Sequence, residues 1–134
     1  MPYFSSASKE RLVTCHPELI KLFEIVVGLY DCAILCGHRN KEEQDKAYQM
    51  GFSQVQWPNG KHNSLPSRAV DVAPCLNGKP EMKDREQITH FAGVVLGIAN
   101  MIGVKLRWGG DWDSDHDLAD NKFDDLFHFE LAEK

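Results

Sequence analysis

Apolar side chains recur at helical spacing in two segments of the chain. Near residues 16–30 and over 84–102 they return every three or four positions, which predicts two core helices. Asp84 is a candidate N-cap of the second helix, and Gly103 ends it. A third helix, polar rather than apolar, is predicted from 41 to 50, before Gly51.

Short apolar segments at 32–36, 67–74, 104–108 and 126–131 predict strands. In the second of them, alternation directs Val70 and Val72 to one face and Asp71 to the other. Residues 52–66 have no period and form a long loop, a type of segment that tends to carry function. The pattern predicts an α+β fold: one domain over 1–134 with a small, mainly antiparallel sheet and helices packed on one side.

Charge is concentrated in one segment. Residues 111–125 contain seven Asp and one Lys, a local charge of −6 against −5 for the whole chain. No cluster of Lys and Arg is available to neutralise phosphates, so we expect no nucleic-acid partner. No stretch approaches the roughly 18 apolar residues of a membrane span, and no basic segment precedes an apolar one at the start. We therefore expect no membrane partner and synthesis in the cytoplasm without a signal peptide.

Two histidines and one carboxylate form a candidate metal site. His62 lies in the long loop, Asp71 on the small-residue face of its strand, and His128 on the last strand. Such a triple is a three-ligand zinc shell with a fourth position for water, whose pKa zinc lowers toward roughly 7. Spacing alone leaves the alternative open that His62 is a solvated loop residue and Asp71 a hydrogen-bond acceptor, because six histidines and twenty acids offer many triples.

Three ordered motifs add to this picture. They are Gly37-His-Arg39 followed by Gln44, His62 followed by Asp71, and Asp125-Leu-Phe-His128. Between residues 30 and 131 the chain thereby resembles the zinc L-alanyl-D-glutamate peptidases that tailed phages use as endolysins, relatives of the D-alanyl-D-alanine carboxypeptidases and the Hedgehog domain. The resemblance implies a Hedgehog/DD-peptidase-like fold. Many relatives have a shorter spacing between the first two ligands and a Ser where Gly60 stands here.

The resemblance implies a role for each motif residue. His62, Asp71 and His128 would bind zinc, and Asp125 would be the general base that takes a proton from the activated water and returns one to the leaving amine. Strand parity makes Asp124 and Glu130 rivals of Asp125, since both share a face with His128 in a regular strand. A loop or bulge through 124–126 would remove this conflict.

Arg39 and Gln44 would act on the substrate. The guanidinium of Arg39 would stabilise the oxyanion of the tetrahedral intermediate or hold a substrate carboxylate, and Gln44 would bind substrate. Taken without the resemblance, Arg39 suits a surface ion pair and Gln44 a helix-surface amide.

The Asp-rich segment is a candidate calcium site. Carboxylates at two-residue steps repel one another unless a cation compensates, and calcium takes six to eight oxygen ligands. A solvated acidic loop is the alternative, and Leu118 replaces the glycine of a standard EF-hand. If calcium binds, it would regulate the zinc site. The candidate calcium ligands are Asp111, Asp113, Asp115, Asp117 and Asp120.

These observations predict a phage endolysin that uses zinc to hydrolyse peptidoglycan stem peptides at the L-Ala–D-Glu bond. The alternatives are a D-alanyl-D-alanine carboxypeptidase, a non-catalytic metal-binding module of the same fold, and an acidic interaction domain. We expect a monomer without a separate cell-wall-binding domain. It would reach the wall from the periplasm after a holin-type release.

Overall fold

The computed structural model describes residues 2–111, 114 and 125–132. Within them it contains four α-helices and five β-strands, joined by loops and one short 3-10 helix at Lys61–Asn63. The helices are α1 (Ser6–Leu12), α2 (Pro17–Leu29), α3 (Lys41–Gln49) and α4 (Arg85–Ile102). The strands are β1 (Cys32–Cys36), β2 (Ala69–Leu76), β3 (Lys79–Pro80), β4 (Leu106–Gly109) and β5 (Asp125–Leu131).

The strands form one sheet in the order β1-β2-β5-β4, and β3 pairs with β2 beside this path. Every pairing between these strands is antiparallel. The last strand in the chain, β5, therefore lies in the interior of the sheet between β2 and β4. This architecture confirms the predicted α+β class.

Helices α2 and α4 cover one face of the sheet. Phe129 of β5 makes edge contacts with Phe23 of α2 and Phe91 of α4, at ring-centroid distances of 5.6 and 6.3 Å. Val70 and Val72 of β2 are fully buried in the same core. Because side chains alternate along a strand, Asp71 and His128 project from the opposite face, which this core leaves for the site.

Two elements were not predicted from the sequence. Helix α1 carries few apolar residues, and its buried positions are Ser8 and Leu12. Ser8 is buried because its hydroxyl accepts a hydrogen bond from the backbone N–H of Ile34 in β1, at 3.0 Å. Strand β3 follows a turn with positive φ at Asn77 and Gly78, an Asn-Gly signal that marks hairpins. In the described ranges, no helix has the length and apolar character needed to cross a membrane.

Candidate metal centre and active site

The structure brings the three predicted metal ligands together. His62 Nε2 lies 3.2 Å from Asp71 Oδ1 and 3.3 Å from His128 Nδ1, and the last two atoms are 3.3 Å apart. Asp71 and His128 are register partners on β2 and β5, while the 3-10 helix supplies His62. Three ligand atoms from distant parts of the chain thus converge on one point.

The outer nitrogen of each histidine faces an acceptor. His62 Nδ1 is 2.7 Å from the carbonyl oxygen of Gly37, and His128 Nε2 is 2.8 Å from Glu130 Oε1. A carbonyl and a carboxylate can only accept, so these outer nitrogens carry the protons. When the imidazoles are neutral, the inner nitrogens, His62 Nε2 and His128 Nδ1, present lone pairs to the cluster. Such outer partners are the usual way in which a protein orients metal-binding histidines.

The spacing of the three atoms fits a metal of the zinc type. Bonds of about 2.0–2.1 Å in a tetrahedral site place neighbouring ligand atoms about 3.3–3.4 Å apart. The observed separations of 3.2, 3.3 and 3.3 Å agree with this. Two imidazoles with one carboxylate suit zinc and related transition metals better than calcium or magnesium, which prefer oxygen ligands.

Without a cation, protons occupy the cluster. Burial lowers the pKa of His62, but the charge of Asp71 and its hydrogen bond outweigh burial and raise that pKa to about 10. Burial raises the pKa of Asp71, yet His62 and His128 overcome it and hold that pKa well below its usual range. Positive charge is therefore favoured at this point, whether it is carried by protons or by a metal.

Asp125 lies beside the cluster because of a bulge. Trp108 pairs with Phe129, but the next residue of β4, Gly109, pairs with Asp125, so β5 carries three extra residues at this position. The bulge places Asp125 Oδ2 at 3.8 Å from His128 Nδ1. A Cβ at Gly109 would lie 2.0 Å from the carbonyl oxygen of Asp125, so only glycine permits this approach.

Glu130 and Asp124 were the alternatives to Asp125 as the general base. Glu130 lies on the outer side of the His128 ring, where its two oxygens contact His128 and Arg107. It is therefore placed as a partner of His128 rather than beside the inner nitrogens. Asp124 lies outside the described residues. Burial, followed by the charge of Asp71, raises the pKa of Asp125 to about 6, against opposing effects of nearby cations.

Arg39 reaches the cluster from the segment between β1 and α3. Its Nη2 lies 3.4 Å from Asp71 Oδ2, and its Nη1 donates to Gln44 Oε1 at 3.0 Å. Its backbone N–H donates to the carbonyl of His62 at 2.8 Å, which ties the two segments together. The guanidinium is thus held at the rim of the cluster, facing the carboxylate of Asp71.

Gln44 is 1% exposed and uses both ends of its amide inside the protein. Its oxygen accepts from Arg39 Nη1 and Asn63 Nδ2, both at 3.0 Å. Its nitrogen donates to Ser53 Oγ at 3.0 Å and to the carbonyl of Val55 at 2.6 Å. These contacts give Gln44 a supporting function for Arg39 and the long loop, and its substrate-binding role stays a prediction.

The cluster faces a pocket of about 500 Å³. Its floor includes His62, Asp125 and His128, and Phe52 and Val55 of the long loop contribute apolar surface. Arg107 and Asn63 were not predicted from the sequence as site residues. Neither belongs to one of the three sequence motifs, and only the pairing of β4 with β5 brings Arg107 to the site.

The predicted calcium ligands fall mostly outside the described residues. This applies to Asp113, Asp115, Asp117 and Asp120. Asp111 is described and is buried, with its backbone N–H donating to the carbonyl of Trp108 at 3.1 Å. Calcium binding stays a prediction.

Three converging ligands of metal-binding type, a neighbouring acid and an open pocket are the features of a metal-dependent hydrolase. Comparison with known proteins gives the family. The family of phage L-alanyl-D-glutamate peptidases matches residues 1–132, and the chain belongs to it.

Two relatives illustrate this membership. The chain is 30% identical over 119 residues to the L-alanyl-D-glutamate peptidase of Escherichia phage T5, an alignment that covers 87% of this chain and 86% of the phage protein. Its fold is similar to the crystal structure of ChiX, an L-Ala D-Glu endopeptidase of Serratia marcescens. The TM-score is 0.75 at 25% identity, and the match covers 98% of this chain and 91% of ChiX.

Proposed function

We propose that this protein is a zinc-dependent endopeptidase that hydrolyses the L-Ala–D-Glu bond of peptidoglycan stem peptides. One observation carries the proposal: ligand atoms of His62, Asp71 and His128 converge within 3.3 Å beside a pocket that also exposes Asp125. The choice of bond rests on the names of the relatives, which are peptidases of this specificity.

His62, Asp71 and His128 would hold the zinc ion. The fit of their separations to tetrahedral zinc and the two imidazole donors support this metal. Zinc supplies Lewis acidity at the pocket floor.

Asp125 would act as the general base. Its carboxylate accepts a proton from the attacking water and later gives one to the amine of the leaving D-Glu. Burial raises the pKa of Asp125, which favours a carboxyl group that can exchange its proton in either direction. Its position next to His128 keeps it close to the metal-binding point.

Arg39 would stabilise negative charge that develops on the carbonyl oxygen of the scissile bond. A guanidinium fixed by Gln44 is already oriented before the reaction, so no reorganisation is needed. Its proximity to Asp71 also limits how far that carboxylate can rotate.

Peptidoglycan is the proposed partner, and a phage endolysin the proposed biological role. We propose that the monomer is made in the host cytoplasm and meets the wall in the periplasm after a holin-type release. The proposed peptidase domain spans residues 1–134.

Mass spectrometry of fragments released from purified Gram-negative sacculi tests the activity. We expect new L-Ala carboxyl ends and D-Glu amino ends, lost on chelation and restored by zinc. Asp125→Asn should abolish release, and Asp45→Asn, at a half-exposed side chain that pairs with Lys41 on α3, should not. Loss of terminal D-Ala alone would assign a carboxypeptidase, and no release by zinc-loaded protein would favour a non-catalytic module.

A further inference from the structure

A chain of charged side chains runs outward from the metal centre along the sheet. His128 Nε2 lies 2.8 Å from Glu130 Oε1, and the other carboxylate oxygen accepts a hydrogen bond from Arg107 Nη2, also at 2.8 Å. Arg107 and Glu130 are register partners on β4 and β5. The pairing of these two strands therefore sets the alignment of the chain.

Glu130 is buried, with 4% of its surface exposed. A buried carboxylate is stable only where its oxygens have partners, and here His128 and Arg107 take one oxygen each. With both oxygens engaged, the carboxylate cannot rotate without breaking a hydrogen bond.

Arg107 differs from Glu130 in its exposure. Its side chain is 42% exposed and lines the pocket beside the cluster. Its ion pair with Glu130 links Arg107 to the His128 ring, so Arg107 can act on the metal site through this carboxylate.

We propose that Arg107 is a positioning residue of the metal centre: it fixes the Glu130 carboxylate, which keeps Nε2 of His128 protonated and directs Nδ1 toward the metal. The inference rests on the proposed metal function of the site. Without Arg107, Glu130 loses one of its two anchors, and the His128 ring gains freedom to rotate away from the ligand position.

Zinc affinity is the quantity to measure, by competition with a chromophoric chelator and zinc as the probe. Changes to groups that orient a metal ligand typically weaken binding about 10- to 100-fold. We expect Glu130→Gln to weaken zinc binding by about 10- to 100-fold and Arg107→Met to weaken it roughly ten-fold. Arg107→Lys, which keeps a cation opposite Glu130, should recover most of the loss. Lys105→Met removes an exposed charge just before the same strand and should change nothing.

A double-mutant cycle distinguishes positioning through Glu130 from a general effect on the fold. In the Glu130→Gln background, Arg107→Met should weaken zinc binding by less than about two-fold, because the carboxylate that Arg107 positions is gone. Independent effects that multiply would overturn the inference. If the single Arg107→Met variant is too unstable to purify, Arg107→Gln, which also removes the cation opposite Glu130, replaces it in the cycle.

Nitrogen-15 NMR of the histidine ring gives a second readout. In the zinc-loaded wild type and in Arg107→Lys, the His128 ring should show one sharp signal of the form protonated at Nε2. Arg107→Met should broaden it. If Arg107→Met binds zinc as tightly as the wild type, the inference alone fails. If the wild type binds no stoichiometric zinc, the proposed function fails with it.

Discussion

Replacing Gln44 by Met tests whether this residue supports the site from within. Met has a similar length but cannot donate or accept the four hydrogen bonds that Gln44 makes at 2.6 to 3.0 Å. Each bond contributes a net of about 0.5–1.5 kcal/mol, so the four together contribute about 2–6 kcal/mol. Asn63 and Ser53 each keep another partner, which limits the loss. We expect Gln44→Met to lower the free energy of unfolding by about 3 kcal/mol.

Thermal unfolding of the zinc-loaded protein measures this loss. For a chain of this size, 3 kcal/mol corresponds to a fall in Tm of roughly 10 °C. Arg39 loses an anchor at the same time, so kcat/KM should fall by roughly 10- to 100-fold. Gln49→Met, on the exposed end of the same helix, is the matched control and should leave both quantities unchanged.

Two outcomes separate support from substrate binding. A Tm within about 2 °C of the wild type would refute the supporting role. If, in addition, KM rose while kcat stayed constant, Gln44 would be a substrate-binding residue, as the motif resemblance implies.

Three further predictions concern the bulge, the metal and the acidic segment. Gly109→Ala should lower the free energy of unfolding by about 1–3 kcal/mol and remove most of the activity, because its Cβ would collide with the carbonyl of Asp125. The control, Gly93→Ala, lies in open space on α4 and should raise the free energy of unfolding by about 0.5–1 kcal/mol. Equal melting temperatures of the two variants would contradict a bulge that requires glycine at residue 109. Zinc must displace protons from a site where the pKa of His62 is about 10, so the apparent zinc affinity should fall as the pH falls. A zinc affinity that does not change with pH in titration calorimetry would exclude this competition between zinc and protons. If the 111–120 segment binds calcium, isothermal titration calorimetry should record heat of binding. A titration without heat would favour the alternative of a solvated acidic loop.

Most of the fold could be predicted because its elements bury one regular face. Helices α2 and α4 show the period of 3.6 and strand β2 the period of 2 that such burial produces, and strand β1 is a short continuous apolar segment. Helix α1 lacked this signal, since a serine rather than an apolar residue fills its contact with β1. Strand pairing could not be read at all, because the interior position of β5 depends on contacts between distant segments.

The candidate ligands could be selected only through the motifs. His62 and His128 are 66 residues apart in the chain, and no local pattern brings them together. Register does so, by pairing Asp71 with His128. Glu130 could be predicted only in part. Side-chain alternation correctly placed Glu130 on the same face as His128, but the orientation of the imidazole ring decides which of its nitrogens Glu130 contacts.

The interior position of β5 also has a consequence for biosynthesis. Strands β2 and β4 are synthesised before β5. In the sheet they do not pair with each other, because β5 lies between them and pairs with both. A nascent chain that ends before residue 125 therefore lacks both the centre of its sheet and two groups of its site, Asp125 and His128. Such non-local pairing is slow to form and must follow the synthesis of β5. A nascent chain that lacks β5 therefore has no assembled site and no hydrolase activity.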